Sequence, residues 1–277
     1  MARRPALRTA GLVVLLAGLL LALWGFGVEP GRLRVREETL VLPGLPPSAR
    51  GLRIALLADL HAGAPHQDRA AIRRIVERTN AARPDAILLL GDYVIQGVLG
   101  GRFVPPETTA VELGRLRAPL GVFAVLGNHD GWLDPARVRR ALEANAIPVL
   151  ANAARPLSAR GVWVAGLEDF WTGLPSVAAA LDSVPPGAPV LLMTHHPDVF
   201  SGVPARVALT VAGHTHGGQV RLPLLGRLVV PSAFGERYAA SHVVEGGRHL
   251  YVSTGTGTSI LPVRFRVVPE ISILTLR

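Results

Sequence analysis

The chain has 277 residues, enough for one large domain with a sizeable core or for two small ones. It contains no cysteine, which excludes a disulfide framework and any thiolate metal site, so a bound metal must be held by oxygen and imidazole nitrogen. The net charge of +9 is carried by arginine alone, without lysine, and these arginines are scattered and not interleaved with aromatic residues, which argues against specific nucleic-acid binding.

Residues 1–9 read as a basic tail bearing Arg3, Arg4 and Arg8. Residues 10–28, AGLVVLLAGLLLALWGFGV, are uncharged and mostly apolar. As a helix they would span about 28 Å, close to the hydrocarbon thickness of a bilayer. Trp24 and Phe26 lie near the far end, where aromatic anchors are common. A cleaved signal peptide and a retained anchor compete here. The length of the run and the lack of a small-x-small cleavage site favour the anchor. Arginines flank the block on both sides, at 3, 4 and 8 and at 32, 34 and 36, so charge alone leaves the orientation close to balanced. The pair Arg3 and Arg4 loosely matches a twin-arginine export signal. The expected orientation is therefore a cytoplasmic N-terminus with the main domain outside; the alternative is a domain held at the cytoplasmic face.

Residues 29–50 read as a Pro/Gly-rich connector with a short strand near LVLPGL, and residues 51–277 as the main domain. LRIALLA is too short for a buried helix and reads as a buried strand. DRAAIRRIVERTNAARP has helical spacing and stops before Pro84. DAILLLGD is a second strand, PETTAVELGRLRA a helix and GVFAVLG a third strand. DPARVRRALEANA is a helix with Asp134 as N-cap and Pro135 at its first position. Strands alternating with helices predict an α/β sheet. The second half is richer in strands: GVWVAGL, APVLLMTH, ARVALTVAGH, RLVV, RHLYVSTG and EISILTL, with one helix near PSVAAALDSV. Two sheets packed face to face with helices outside would accommodate so many short strands.

Polar clusters sit where five of these strands give way to loops, the place where open α/β sheets build their sites. IALLADLH ends in Asp59 and His61, ILLLGD in Asp92, and VFAVLGNHD in Asn128, His129 and Asp130. VLLMTHHPD ends in His195 and His196, and LTVAGHTHGGQ in His214 and His216. The spacing of two in Asp59/His61 and in His214/His216 puts each pair on one side of an extended chain. Gly127 is expected to permit a sharp turn in GNHD. Singly, each cluster is a weak signal. Together they place six of the nine histidines at strand ends beside carboxylates and an amide, a donor set for a metal centre. His66, His242 and His249 read as loop or surface residues, and Glu168 and Asp169 as loop residues, Asp169 with a further option of lining the site.

The ordered set D-x-H, G-D, G-N-H-D, H and G-H-x-H resembles the calcineurin-like metallophosphoesterase superfamily, from about Arg53 to the C-terminus. GHTHGGQVRLPLLG and YVSTGTGTSILPVRFRVVPEI look like its membrane-anchored or exported bacterial branch, the YaeI-type phosphodiesterases. The resemblance implies a four-layer αββα sandwich carrying two divalent metal ions, with Mn, Fe and Zn all compatible with the donors. It implies that Asp59, His61 and His216 hold the first ion, Asn128, His195 and His214 the second, and that Asp92 bridges them. His195 is preferred to His196 because the family histidine lies two residues before the proline, here Pro197. His196 then faces substrate or solvent. His129 is implied as the catalytic general acid, oriented by Asp130. Two cations about 4 Å apart neutralise an anionic phosphodiester and acidify a bound water. The expected activity is hydrolysis of a phosphodiester or pyrophosphate bond in a phosphorylated small molecule or a lipid-linked substrate, such as a nucleotide-activated lipid of the UDP-diacylglucosamine type. A phosphomonoesterase and a nuclease share the motif. A non-catalytic metal-binding scaffold at the membrane is the rival of another class, disfavoured by the intact His129.

Overall fold

Arg3–Ala22 forms one helix, α1, and the chain continues through Leu23–Val28 in wider π-type turns and through Glu29–Gly31 in a short 3-10 turn. A computed structural model describes residues 3–157 and 160–277, with side chains from Arg8 onward. The side chains of Arg3 and Arg4, and so most of the expected basic tail of residues 1–9, lie outside the described residues. The stretch Arg8–Gly31 is the one candidate span among the described residues, long and apolar enough to cross a membrane by length and composition. Its leucines and valines point away from the rest of the molecule, so no protein core covers them.

The end of this helix is built into the domain. The Arg264 N–H donates to Gly25 O (2.9 Å), and His66 Nε2 lies 3.0 Å from Phe26 O. Glu29, itself buried, accepts from Trp24 Nε1 (2.7 Å) on one oxygen and from the Val267 N–H (2.8 Å) on the other. Residues 29–50 are accordingly no free connector. Arg34–Leu40 is β1, a full strand of the first sheet, where the strand was expected at 40–45. Its sequence, RVREETL, is that of a sheet edge, where charged side chains block further pairing. That polarity hid it from a reading based on apolar runs.

The remaining elements follow the expected alternation. β2 (Arg53–Leu57), α2 (Arg69–Ala81), β3 (Ala86–Leu89), α3 (Pro106–Leu113) and β4 (Val122–Ala124) come first. Next are α4 (Asn128–Leu133), α5 (Pro135–Glu143), β5 (Ala153–Leu157), β6 (Val162–Gly166), α6 (Val177–Leu181), β7 (Val190–Met193) and β8 (Val207–Ala212). The two-residue pair β9 (Arg221–Leu222) and β10 (Gly226–Arg227), then β11 (Ser241–Glu245), β12 (Arg248–Val252) and β13 (Glu270–Leu276), complete the chain. Helix α2 shows why these pieces pack. Ile72, Ile75 and Val76 form one apolar stripe, and Asp68 caps the helix by accepting from the Ala71 N–H (2.7 Å). Asp134 caps α5 in the same way, as its sequence predicts, through the Arg137 N–H (2.9 Å).

The first sheet has the order β1-β13-β2-β3-β4 and the second β11-β12-β8-β7-β6-β5. Between them lies one core, from Leu40, Ile54, Leu56 and Leu88 on one side to Val164, Leu191, Met193 and Val211 on the other. A second core joins the first sheet to α2, α3 and α5, and a third joins the second sheet to α6 and to short helical turns bearing Phe200 and Tyr238. This is the four-layer αββα sandwich expected. The edge strands β5 and β11 were not legible. β5 carries Pro156, tolerated because an edge residue need not donate to a neighbour. The strand expected at RLVV reduces to the short β10, and Leu228 and Val229 stand in solvent instead.

Candidate metal centre

Five strand ends meet at one end of the sandwich. Asp59 and His61 follow β2, Asp92 follows β3, Asn128 and His129 open α4 just after β4, His195 follows β7, and His214 and His216 follow β8. Ligand atoms of Asp59, His61 and His216 all lie within 4.8 Å of one another. His216 Nε2 approaches His61 Nε2 to 3.1 Å and Asp59 Oδ1 to 3.5 Å. On the other side, His195 Nε2 lies 3.2 Å from Asn128 Oδ1 and 3.3 Å from His214 Nδ1. One oxygen faces both groups: Asp92 Oδ2 is 3.5 Å from His61 Nε2 and 3.2 Å from His195 Nε2. Two further triads, His61–Asp92–His129 and Asp59–Asp92–His195, meet the same distance criterion.

This convergence does not come from strand alternation. Asp59, His61, Asp92, His214 and His216 all have positive φ, between 43° and 70°. The expected extended geometry of the two pairs is therefore wrong. Each side chain is aimed by a left-handed loop residue, a backbone state costing about 1–3 kcal/mol for most side chains and least unfavourable for Asp, Asn and His. Strain of this kind concentrates at functional sites because the rest of the fold holds it.

The side chains suit cations. His195 donates from Nδ1 to Leu90 O (2.7 Å), which turns Nε2 toward the site. Burial opposes its charge, but Asp92, by charge and hydrogen bond, together with Asp59 raises its pKa to about 10, so its Nε2 carries a proton that a bound cation would displace. Burial draws the pKa of His61 down to about 3, and draws those of His214 and His216 well below the ordinary value, so these rings are neutral with lone pairs available. Burial opposes the charge on Asp92, but His195, by charge and hydrogen bond, together with His61 and His129, holds its carboxyl well below the usual range. Burial pushes Asp59 up to about 7 against the pull of His195. Imidazole nitrogens and carboxylate oxygens are thus aimed at common points, with His61, His214 and His216 neutral and His195 protonated between Asp92 and Asp59. A cation satisfies that arrangement; water and protons satisfy it only in part. The donors are oxygen and imidazole nitrogen, and together they form a candidate dimetal site.

GNHD works differently from the expectation. Gly127 has φ −105°, ψ −179°, an extended state open to any residue, so it does not serve a turn. It is needed for close approach: a Cβ there would overlap Asp92 Oδ1 and come 2.7 Å from the Asp92 nitrogen. Asp130 does not orient His129 directly. Its Oδ2 accepts from the N–H groups of Asp92 (2.8 Å) and Gly127 (2.9 Å), and its Oδ1 from those of Tyr93 (2.9 Å) and Val94 (3.4 Å). It ties the loop carrying Asp92 to the start of α4 and acts on both at once. Asp92 Oδ1 closes the link by accepting the His129 N–H (2.9 Å). The His129 ring is held by packing, edge-on to His61 at 4.6 Å and tilted against Trp132 at 5.0 Å. Its Nδ1 is buried with no partner, and Nε2 lies 4.0 Å from Asp92 Oδ2.

Sequence reasoning left several site residues unassigned. Trp132, one turn beyond His129, and Trp171 stack at 6.1 Å and wall the centre, with Trp171 edge-on to His214 at 4.6 Å. Asp169 is not among the residues that line the cavity at the centre. It accepts from the Trp171 and Thr172 N–H groups (3.0 and 2.9 Å) and so sets the turn that presents Trp171. His196 is buried against His214, ring centres 4.1 Å apart, and faces neither solvent nor the site's common points. Arg264 is fully buried, its guanidinium donating to the carbonyls of Thr254, Gly255, Gly257 and Val267. The loop it gathers lies against the backs of Asp59 and His61: a Cβ on Gly257 would come 2.7 Å from Asp59 O and 2.9 Å from His61 Cβ. Nothing in RFRVV distinguishes this arginine from its exposed neighbour Arg266. The centre opens into a cavity of about 360 Å³ lined by Trp132, Trp171, Gln219, Val229, Pro231 and Ile260 as well as by the ligand candidates.

A model of the calcineurin-like phosphoesterase family matches residues 52–218. The metallophosphoesterase YkuE of Bacillus subtilis is 30% identical over 272 residues, which cover 95% of this chain and 93% of that one. Phosphodiesterase YaeI of Escherichia coli is 30% identical over 264 residues, 91% and 93% of the two chains. A transmembrane protein with a metallophosphoesterase domain from Danio rerio is 27% identical over 96% of this chain and 62% of its own length. With both the family model and near-full-length relatives matched across the strand ends that build the centre, the chain belongs to the calcineurin-like phosphoesterase family.

Proposed function

We propose that the chain is a membrane-anchored dimetal hydrolase that cleaves phosphodiester or pyrophosphate bonds. The observation that carries this reading is Asp92 Oδ2, shared between two donor sets. Asp59, His61 and His216 would hold one cation, Asn128, His195 and His214 the other, with Asp92 between. When bound, the pair neutralises the phosphoryl charge and acidifies water. His129 lines the cavity beside the centre, placed to protonate the leaving oxygen. Asp130 holds His129 and Asp92 in register through the backbone.

A diester is favoured over a monoester by charge. A monoester dianion brings one negative charge more than a diester, and among the described residues no arginine lines the cavity. An arginine 4 Å from that extra charge would stabilise it by about 4 kcal/mol near a protein surface. The phosphodiesterase named among the relatives agrees with this choice. Purified metal-loaded chain is expected to hydrolyse bis(4-nitrophenyl) phosphate at least about tenfold faster, in kcat/KM, than 4-nitrophenyl phosphate, a smaller gap than that charge allows. A preference for the monoester overturns the diester assignment.

The anchor reading rests on Trp24 to Glu29, whose bonds to Arg264 and Val267 make the end of the apolar block part of the folded domain. Cleavage before Glu29 would remove the Gly25 carbonyl that Arg264 uses. The domain is assigned to the outer face of the membrane. Protease added to intact spheroplasts is expected to digest it; protection until lysis places it in the cytoplasm.

A further inference from the structure

The rim of the cavity carries exposed apolar side chains that the fold does not use. Leu224 is 105% exposed, Leu225 70%, Leu228 62%, Val229 72%, Ile260 73% and Leu261 45%. They belong to two segments tied to each other. Gln219 donates to Ser259 O (3.0 Å) and accepts from the Ser259 N–H (2.7 Å), and Arg221 and Phe265 pair by backbone bonds (Arg221 N–H to Phe265 O, 2.9 Å). Arg227 anchors the first segment to the metal loop by donating to Gly217 O (2.8 Å). Val229 and Ile260 line the cavity itself, and exposed apolar side chains gathered on two tied segments mark an interaction surface.

The second segment identifies what lies against it. Ser259 and Ile260 line the cavity. Four residues further on, Arg264 donates to Gly25 O, and a Cβ on Gly25 would come 3.3 Å from Val263 Cγ2. Four residues of chain span at most about 14 Å. Gly25 precedes the last apolar residue of the block, Val28, by only three positions, so the loop it touches sits at the edge of the hydrocarbon. The headgroup layer on each side of a bilayer is about 5–8 Å deep. The cavity wall is therefore within about 14 Å of the hydrocarbon edge, with leucines on its rim and the exposed cations Arg221 and Arg266 beside them.

We propose that this rim lies on the surface of the bilayer crossed by α1, and that the cavity receives the phosphoester head of a lipid from that leaflet. This rests on the anchored-phosphoesterase reading above and adds to it the route by which substrate arrives: along the membrane plane, not from bulk water. The chain has no cysteine, so a single introduced thiol reports one place. Full-length Leu225→Cys carrying an NBD label, in vesicles of phosphatidylcholine and phosphatidylglycerol, is expected to be shielded from aqueous iodide and quenched by spin-labelled lipid. The control is Val41→Cys, exposed and just past the end of β1, about 20 Å along the strand from the anchor. Equal iodide access at both sites overturns the proposal, and would leave the rim as a surface for a soluble protein.

The second arm is functional. The double variant Leu224→Glu with Leu225→Glu is expected to lose about tenfold or more of its rate on a lipid pyrophosphate in those vesicles. Its rate on soluble bis(4-nitrophenyl) phosphate should stay within about twofold, as for surface changes away from the centre. An unchanged rate on the lipid, or an equal fall on both substrates, overturns the membrane route. If the unsubstituted chain cleaves neither substrate, the phosphoesterase reading fails while the label still decides where the rim lies.

Discussion

Asp92→Asn is expected to leave a folded chain that binds fewer than two metals and hydrolyses a diester more than about 100-fold more slowly. Outer-shell changes alone typically cost 10–100-fold in metal affinity or activity, and Asp92 faces both donor sets through one oxygen. Asparagine keeps an oxygen able to accept the His129 N–H, now at 2.9 Å, and tolerates the left-handed backbone at φ 59°. The fold should therefore survive while the second oxygen becomes an amide that points hydrogens at His61 and His195. Metal content by plasma mass spectrometry, with circular dichroism as the check on folding, separates the two effects. A variant that holds two metals per chain and turns over normally would refute the bridging role.

His129→Asn should do the reverse: metal content unchanged, and kcat on a substrate with a poor leaving group reduced by about 10²–10⁴-fold. The deficit should narrow for nitrophenyl esters, whose leaving group hardly needs a proton. Because His129 also falls within the triad formed with His61 and Asp92, the metal measurement decides between two roles. Loss of metal makes His129 a ligand. An equal deficit for good and poor leaving groups removes the general-acid role.

The ligand candidates were legible because each is a polar group at the end of an apolar strand, and the sheet carries strand ends to one place. β2, β3, β4, β7 and β8 read as strands for the reason they are buried: both faces pack, so the residues run largely apolar, broken only by Arg53 at the start of β2 and Thr210 in β8. The strands that escaped, β1, β5 and β11, are polar along much of their length or carry proline, and lie toward the sheet edges, where pattern is weakest. What sequence misjudged was backbone. Extended spacing seemed to explain Asp59/His61 and His214/His216, yet all four residues are left-handed, a state that no alternation of residue types signals. Asp130 was misread for a related reason. A carboxylate next to a histidine suggests a side-chain pair, but here it serves four backbone N–H groups, three of them, at Asp92, Tyr93 and Val94, far away in the chain. Arg264 and Trp171 reach the centre through loops far along the chain, and only the assembled fold reveals them.

The left-handed backbone also limits which residue types the centre can be written in. A ligand candidate at these five positions must offer an oxygen or imidazole donor and also tolerate positive φ. Glutamate offers the same carboxylate as aspartate, but of the donor-bearing side chains it is Asp, Asn and His that are enriched in that conformation. The alphabet at Asp59, His61, Asp92, His214 and His216 is thus filtered twice, once by the cation and once by the chain, and the five positions hold only Asp and His. Carboxylate chemistry is therefore not interchangeable here: Asp92→Glu would keep the charge and still lose the geometry, because a longer side chain on a less willing backbone cannot return its oxygen to the shared point.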